Sequence, residues 1–120
     1  MAAITPRGVL AQYPAPDGSR PESVLTFIGP ASYVQISIAA PPTGGITVNA
    51  SDMGLVNFDQ AMVWGSDEGT YGARIIWPNQ PFSPPTTLIL QIFTLATGAE
   101  VAGATNLAAK TFRIWAKQGS

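Results

Sequence analysis

Twelve glycines and eleven prolines punctuate this 120-residue chain, and they cut its apolar residues into short runs. Proline removes a backbone donor and fixes φ, and glycine weakens the interior of any regular element. Long amphipathic helices are therefore excluded, and the readable runs have a period of two. In "KTFRIWA", Lys110–Ala116, Phe112, Ile114 and Ala116 alternate with Thr111, Arg113 and Trp115. That spacing predicts a half-buried strand with Trp115 opposite the core side. In "TLILQIFTL", Thr87–Leu95, both faces are apolar except at Gln91 and Thr94. A strand covered on both faces belongs at the centre of a sheet.

The remaining strands follow from the same logic. Val24–Ile28 is an apolar run closed by Gly29-Pro30. Tyr33–Ala39 alternates, with Val34, Ile36 and Ile38 expected inward and Tyr33, Gln35 and Ser37 outward. Pro41-Pro42-Thr43-Gly44-Gly45 ends it, and Ile46–Val48 returns. Ser51 or Asp52 can then cap a single helical turn that Gly54 stops. Phe58–Trp64 is a strand, Ser66-Asp67-Glu68-Gly69 reads as a hairpin turn, and Thr70–Trp77 runs back. Pro78 to Pro85 is too broken to be a strand. Ala96–Ala99 turns the chain into a short strand, Glu100–Ala102. Short strands with turns at roughly 8–12-residue intervals predict an all-β fold, an antiparallel β-sandwich or small jelly roll. Its expected core is Val34, Ile36, Ile38, Leu88, Leu90, Ile92, Phe112 and Ile114. Residues 23–120 make the single β domain. In residues 1–22, Pro6, Pro14, Pro16 and Pro21 interrupt any ladder. This segment is either a disordered tail or an extended arm lying on a neighbour, anchored by Val9, Leu10 and Tyr13.

Composition limits the chemistry. There is no histidine and no cysteine, which removes the serine triad, imidazole and thiolate metal sites, disulfides and cysteine nucleophiles. The net charge is −1 and the six basic residues are scattered, whereas nucleic-acid binding wants them clustered. No run approaches the 18 or so apolar residues of a membrane-spanning helix, and "MAAITPRGVLAQYPAPDG" lacks the apolar region of a signal peptide. Synthesis in the cytoplasm is the expectation. Charged residues make up only 11% of the chain, against about 25% in an average soluble domain. Either uncharged polar residues cover the surface, or part of it is buried against other subunits. The second account is preferred.

Catalysis would fall to carboxylates. Asp52, Asp59, Asp67 and Glu68 are close in sequence, but Asp67-Glu68 sits where charge solvates a turn and Asp52 where a helical cap belongs. A calcium site needs six or more oxygens, and no D-x-D-x-D-G run supplies them. No catalytic, cofactor-binding or metal-binding residue is assigned. Trp77, before Pro78 at a strand end, and Trp115 are candidate interface residues, because buried aromatics anchor cores and subunit contacts. Sugar binding is the alternative, and it asks for two rings exposed on one face.

The order of these elements resembles a known group. Gly29, Pro30, Tyr33 and Val34 precede the Gly44-Gly45 turn, followed by Ser51-Asp52-Met53-Gly54-Leu55 and by Phe58-Asp59. Gly69-Thr70-Tyr71, Leu88-Ile89-Leu90 and Thr105-Asn106-Leu107 come next, then Arg113 and Ala116. Over roughly residues 24–118 this is similar to the small virion structural proteins of tailed bacteriophages that decorate or cement the capsid. The resemblance implies a β-rich fold, no enzyme activity and repeated copies on a symmetric shell. The partners it implies are the major capsid protein and further copies of the chain. With the low charge fraction, it points to a homotrimer on the virion. A tail or baseplate subunit and a carbohydrate-binding receptor-recognition module are the alternatives.

Overall fold

The computed structural model describes residues 2–3, 5–13, 22–36, 44–66, 69–77 and 85–118, with side chains described over 22–36, 44–63, 69–77 and 85–118. It is all-β. The strands are β1 (Ala2–Ala3), β2 (Thr5–Tyr13), β3 (Glu22–Ile28), β4 (Ile46–Asn49), β5 (Gln60–Ser66), β6 (Tyr71–Ile76), β7 (Thr87–Thr94) and β8 (Thr111–Lys117). Two four-stranded sheets result, ordered β1-β4-β7-β6 and β2-β3-β8-β5. Every neighbouring pair is antiparallel except β1 with β4.

The interior strands are those with the strongest apolar patterning. On β8, Phe112, Ile114 and Ala116 are fully buried, and their partners on β3 are Phe27, Leu25 and Ser23. The Phe27 and Phe112 rings lie 5.9 Å apart, tilted by 30°. On β7, Leu88, Leu90 and Ile92 face inward, and Ile46 and Val48 of β4 sit beside Leu90 and Leu88. Residues of both sheets join one hydrophobic cluster with Tyr33, Met53, Phe58 and Leu107. Each fully buried Leu, Ile or Phe side chain contributes about 1.5–3 kcal/mol from burial. Ile89, on the opposite face of β7 from these residues, is also fully buried, in keeping with a strand covered on both sides.

Five expectations need correction. Residues 33–36 are not a strand: Tyr33 is buried, Val34 is 45% exposed and Ile36 is buried. Their backbone bonds instead to the 101–107 segment and to Gly45, so no ladder imposes a period of two. Ile38 lies outside the described residues. Second, the chain leaves one sheet at Ser66 and enters the other at Tyr71, so β5 and β6 do not form a hairpin. Asp67 and Glu68 lie outside the described residues. Third, the segment expected as an arm without a ladder holds β1 and β2. β1 pairs with β4, and β2 pairs with β3 from Thr5 to Tyr13. Pro6 is accommodated because β2 is an edge strand, with register shifts at Pro6/Gly8 and Val9/Ala11. Fourth, Glu100–Ala102 is reduced to a single bridge between Glu100 and Phe93. Fifth, the helical turn is a 3-10 turn, Ala50–Met53, whose N-cap is Asn49 rather than Ser51 or Asp52. Asp52 closes it from inside: its Oδ2 accepts the Asn49 N–H at 3.1 Å. Gly54 ends it in the left-handed conformation at φ 73°, as expected.

Candidate interaction surface

The alternation that buries Phe112 and Ile114 turns Arg113, Trp115 and Lys117 to the outer face of the second sheet. Strand register sets their neighbours. Val24 of β3 and Met62 of β5 are the direct partners of Trp115, so Val24, Trp115 and Met62 form one row across three strands. Val24 is buried, Trp115 is half-buried and Met62 is 54% exposed. The row on one side is Glu22, Lys117 and Gln60, and on the other Thr26, Arg113 and Gly65. An apolar row containing a tryptophan thus runs between a row with opposite charges and a row with an arginine. Tryptophan and arginine are the side chains most enriched where protein contacts concentrate their binding energy. Directly opposed side chains on one sheet face support one another, which holds Trp115 in place.

Trp77 lies elsewhere. It follows β6 and packs against the common core, with its ring 6.1 Å from that of Phe58 and tilted by 57°. Trp77 thus packs inward while Trp115 lies on the outer face of its strand, so the two do not share an exposed two-ring platform. Val9, Leu10 and Tyr13 lie on β2, whose backbone borders this sheet, and their side chains lie outside the described residues. Met62 and Val24 were not singled out from the sequence. The signal for Met62 was present in "QAMV", where Ala61 and Val63 pack toward the core and Gln60 and Met62 face out.

A second cluster lies at β7. Beyond the four residues paired with β4, the Ile92 N–H donates to the Tyr33 hydroxyl at 3.2 Å. That hydroxyl donates to Glu100 Oε2 at 2.6 Å, and the same oxygen accepts the Ile36 N–H at 2.8 Å. Burial, then the hydrogen bond to Glu100, pushes the Tyr33 phenol well above the ordinary tyrosine range. Nearby, Arg74 lies 4.3 Å from the Phe93 ring centroid, and its Nη2 donates to the Gly98 carbonyl at 2.8 Å. The chemistry of the cluster is structural: a phenol and a carboxylate satisfy backbone donors. Glu100 is the only charged residue between Arg74 and Lys110 in the sequence, a signal that could have marked it.

Among the described residues, no group of three or more His, Cys, Asp or Glu is placed to hold a metal ion. Among them, no helix is long and apolar enough to cross a membrane. Comparison with protein-family models, curated proteins and solved structures gives no match.

Proposed function

We propose that this chain is a non-enzymatic structural protein of a tailed-bacteriophage virion, a capsid decoration or cement protein that bridges subunits of the shell. Its partners are the major capsid protein and other copies of itself, arranged as a homotrimer at threefold positions. Its two sheets pack as a β-sandwich of the jelly-roll kind, a reading supported by the single cluster to which both contribute. The observation that carries the functional reading is the outward pair Trp115 and Met62 beside Arg113 on the face of the second sheet. The low charge fraction and the sequence resemblance support it. Cementing needs no reactive group. It needs contact area, on the order of 1,000–2,000 Å² per site, repeated by symmetry.

Co-sedimentation of the purified chain with phage capsids tests this. Binding at a fixed number of copies per capsid is expected. Trp115→Ala is expected to weaken it on the order of 30-fold, the effect of losing about 2 kcal/mol at a contact centre. Absence of binding, or binding unchanged by Trp115→Ala in a folded variant, would refute the proposal.

A further inference from the structure

Residues Tyr33–Ile36 cross the structure as a strap rather than a strand, and Glu100 holds them. One carboxylate oxygen, Glu100 Oε2, accepts both the Tyr33 hydroxyl at 2.6 Å and the Ile36 N–H at 2.8 Å. The Tyr33 hydroxyl in turn accepts the Ile92 N–H of β7 at 3.2 Å. The strap is therefore joined to the sheet by a chain of three hydrogen bonds, two meeting at Glu100 Oε2 and the third at the Tyr33 hydroxyl. Further bonds align it: Tyr33 N–H with the Thr105 carbonyl at 3.0 Å, Ala104 N–H with the Tyr33 carbonyl at 2.7 Å, and Gln35 Nε2 with the Val101 carbonyl at 3.1 Å. Ala104 makes its bond from the left-handed conformation, at φ 66°, which a non-glycine residue adopts only at an energetic cost. Gly45 donates to the Val34 carbonyl from the other end, at φ 86°. A Cβ there would fall 2.7 Å from Ile89 Cγ2 and 3.0 Å from Ile36 Cδ1, so the strap packs against the sheet where only glycine fits.

We propose that Glu100 is a latch and that the strap Tyr33–Ile36 opens as one unit when the latch is broken, with both sheets still folded. Hydrogen bonds to a carboxylate are about twice as strong as neutral ones, so the two bonds at the shared oxygen are the strongest of the strap's hydrogen bonds. Breaking it leaves Tyr33 with a buried hydroxyl short of its acceptor and Ile36 without its partner. The two amides, Ile36 and Ile92, lie on different elements but are protected by the same event. Folded chains open locally and sub-globally in cooperative units without global unfolding.

Amide hydrogen exchange followed by NMR on the full chain tests the coupling. In Glu100→Ala, the Ile36 and Ile92 amides are both expected to exchange faster, on the order of ten-fold or more. The amides of β8, in the other sheet, are expected to keep their rates. Tyr33→Phe is expected to accelerate the same two amides, although it removes a direct acceptor from Ile92 alone. Glu100→Gln retains a carbonyl oxygen without the charge, and a smaller acceleration of both is expected. If Glu100→Ala moves Ile36 alone and Tyr33→Phe moves Ile92 alone, the bonds are independent and the proposal is wrong. If all amides accelerate equally in Glu100→Gln, the strap belongs to the global core and the proposal also fails.

Discussion

Truncating Phe112 to alanine tests which face of β8 is buried. Phe112 is fully buried on an interior strand, with its ring 5.9 Å from that of Phe27 and Ile114 two residues along the same face. Phe→Ala at such a site costs about 3–5 kcal/mol, from lost burial and the cavity left behind. About 0.5–1.5 kcal/mol of that belongs to the aromatic pair. Against a typical domain stability of roughly 5–15 kcal/mol, the loss is large enough to leave the variant marginal. Urea denaturation, followed by circular dichroism and tryptophan fluorescence, reads it as a lower midpoint at an unchanged m-value. Trp115→Ala, three residues along on the outer face, is expected to cost less than half as much. A Phe112→Ala loss below about 1 kcal/mol, or one smaller than that of Trp115→Ala, would mean that the two faces have been assigned the wrong way round.

Three further outcomes are expected. Val34→Ser, at a 45% exposed position that strand alternation would bury, should change stability by no more than about 0.5 kcal/mol in the same denaturation assay. In an absorbance titration, one of the three tyrosines should stay protonated above the ordinary phenol range until the chain unfolds. Because the folded state holds the Tyr33 proton more tightly, its contribution to stability is full below about pH 10 and is lost as the pH rises further. Deleting residues 1–13 removes β1 and β2 and so strips an edge from each sheet. A lowered urea midpoint is expected, and an unchanged one would show that the segment is only an arm.

The sequence was most legible where a strand is interior and one face or both are apolar. β3 and β7 follow from apolar runs bounded by turn residues, β8 from its alternation, and the buried set Leu88, Leu90, Ile92, Phe112 and Ile114 from period two. Pairing was less legible. Ser66–Gly69 carries turn residues, but turn chemistry does not say whether the next strand joins the same sheet, and β6 joins the other one. Pro6 argued against a ladder, yet an edge strand with register shifts tolerates it. The alternation over Tyr33–Ile36 matches a strand, but Glu100 and the 101–107 segment fix this stretch by side-chain and loop hydrogen bonds that local sequence does not show. For the candidate surface, Trp115 was found by alternation. Its neighbours Val24 and Met62 required the register of three strands, which no local pattern contains.

Binding to the shell is read directly from a cryo-electron microscopy reconstruction of capsids incubated with the purified chain. Density for this β domain is expected at every equivalent surface position, with the β2-β3-β8-β5 sheet and Trp115 turned toward a capsid or sister subunit. Capsids bare of such density at saturating chain would contradict the proposal, and so would bound copies with Trp115 facing solvent.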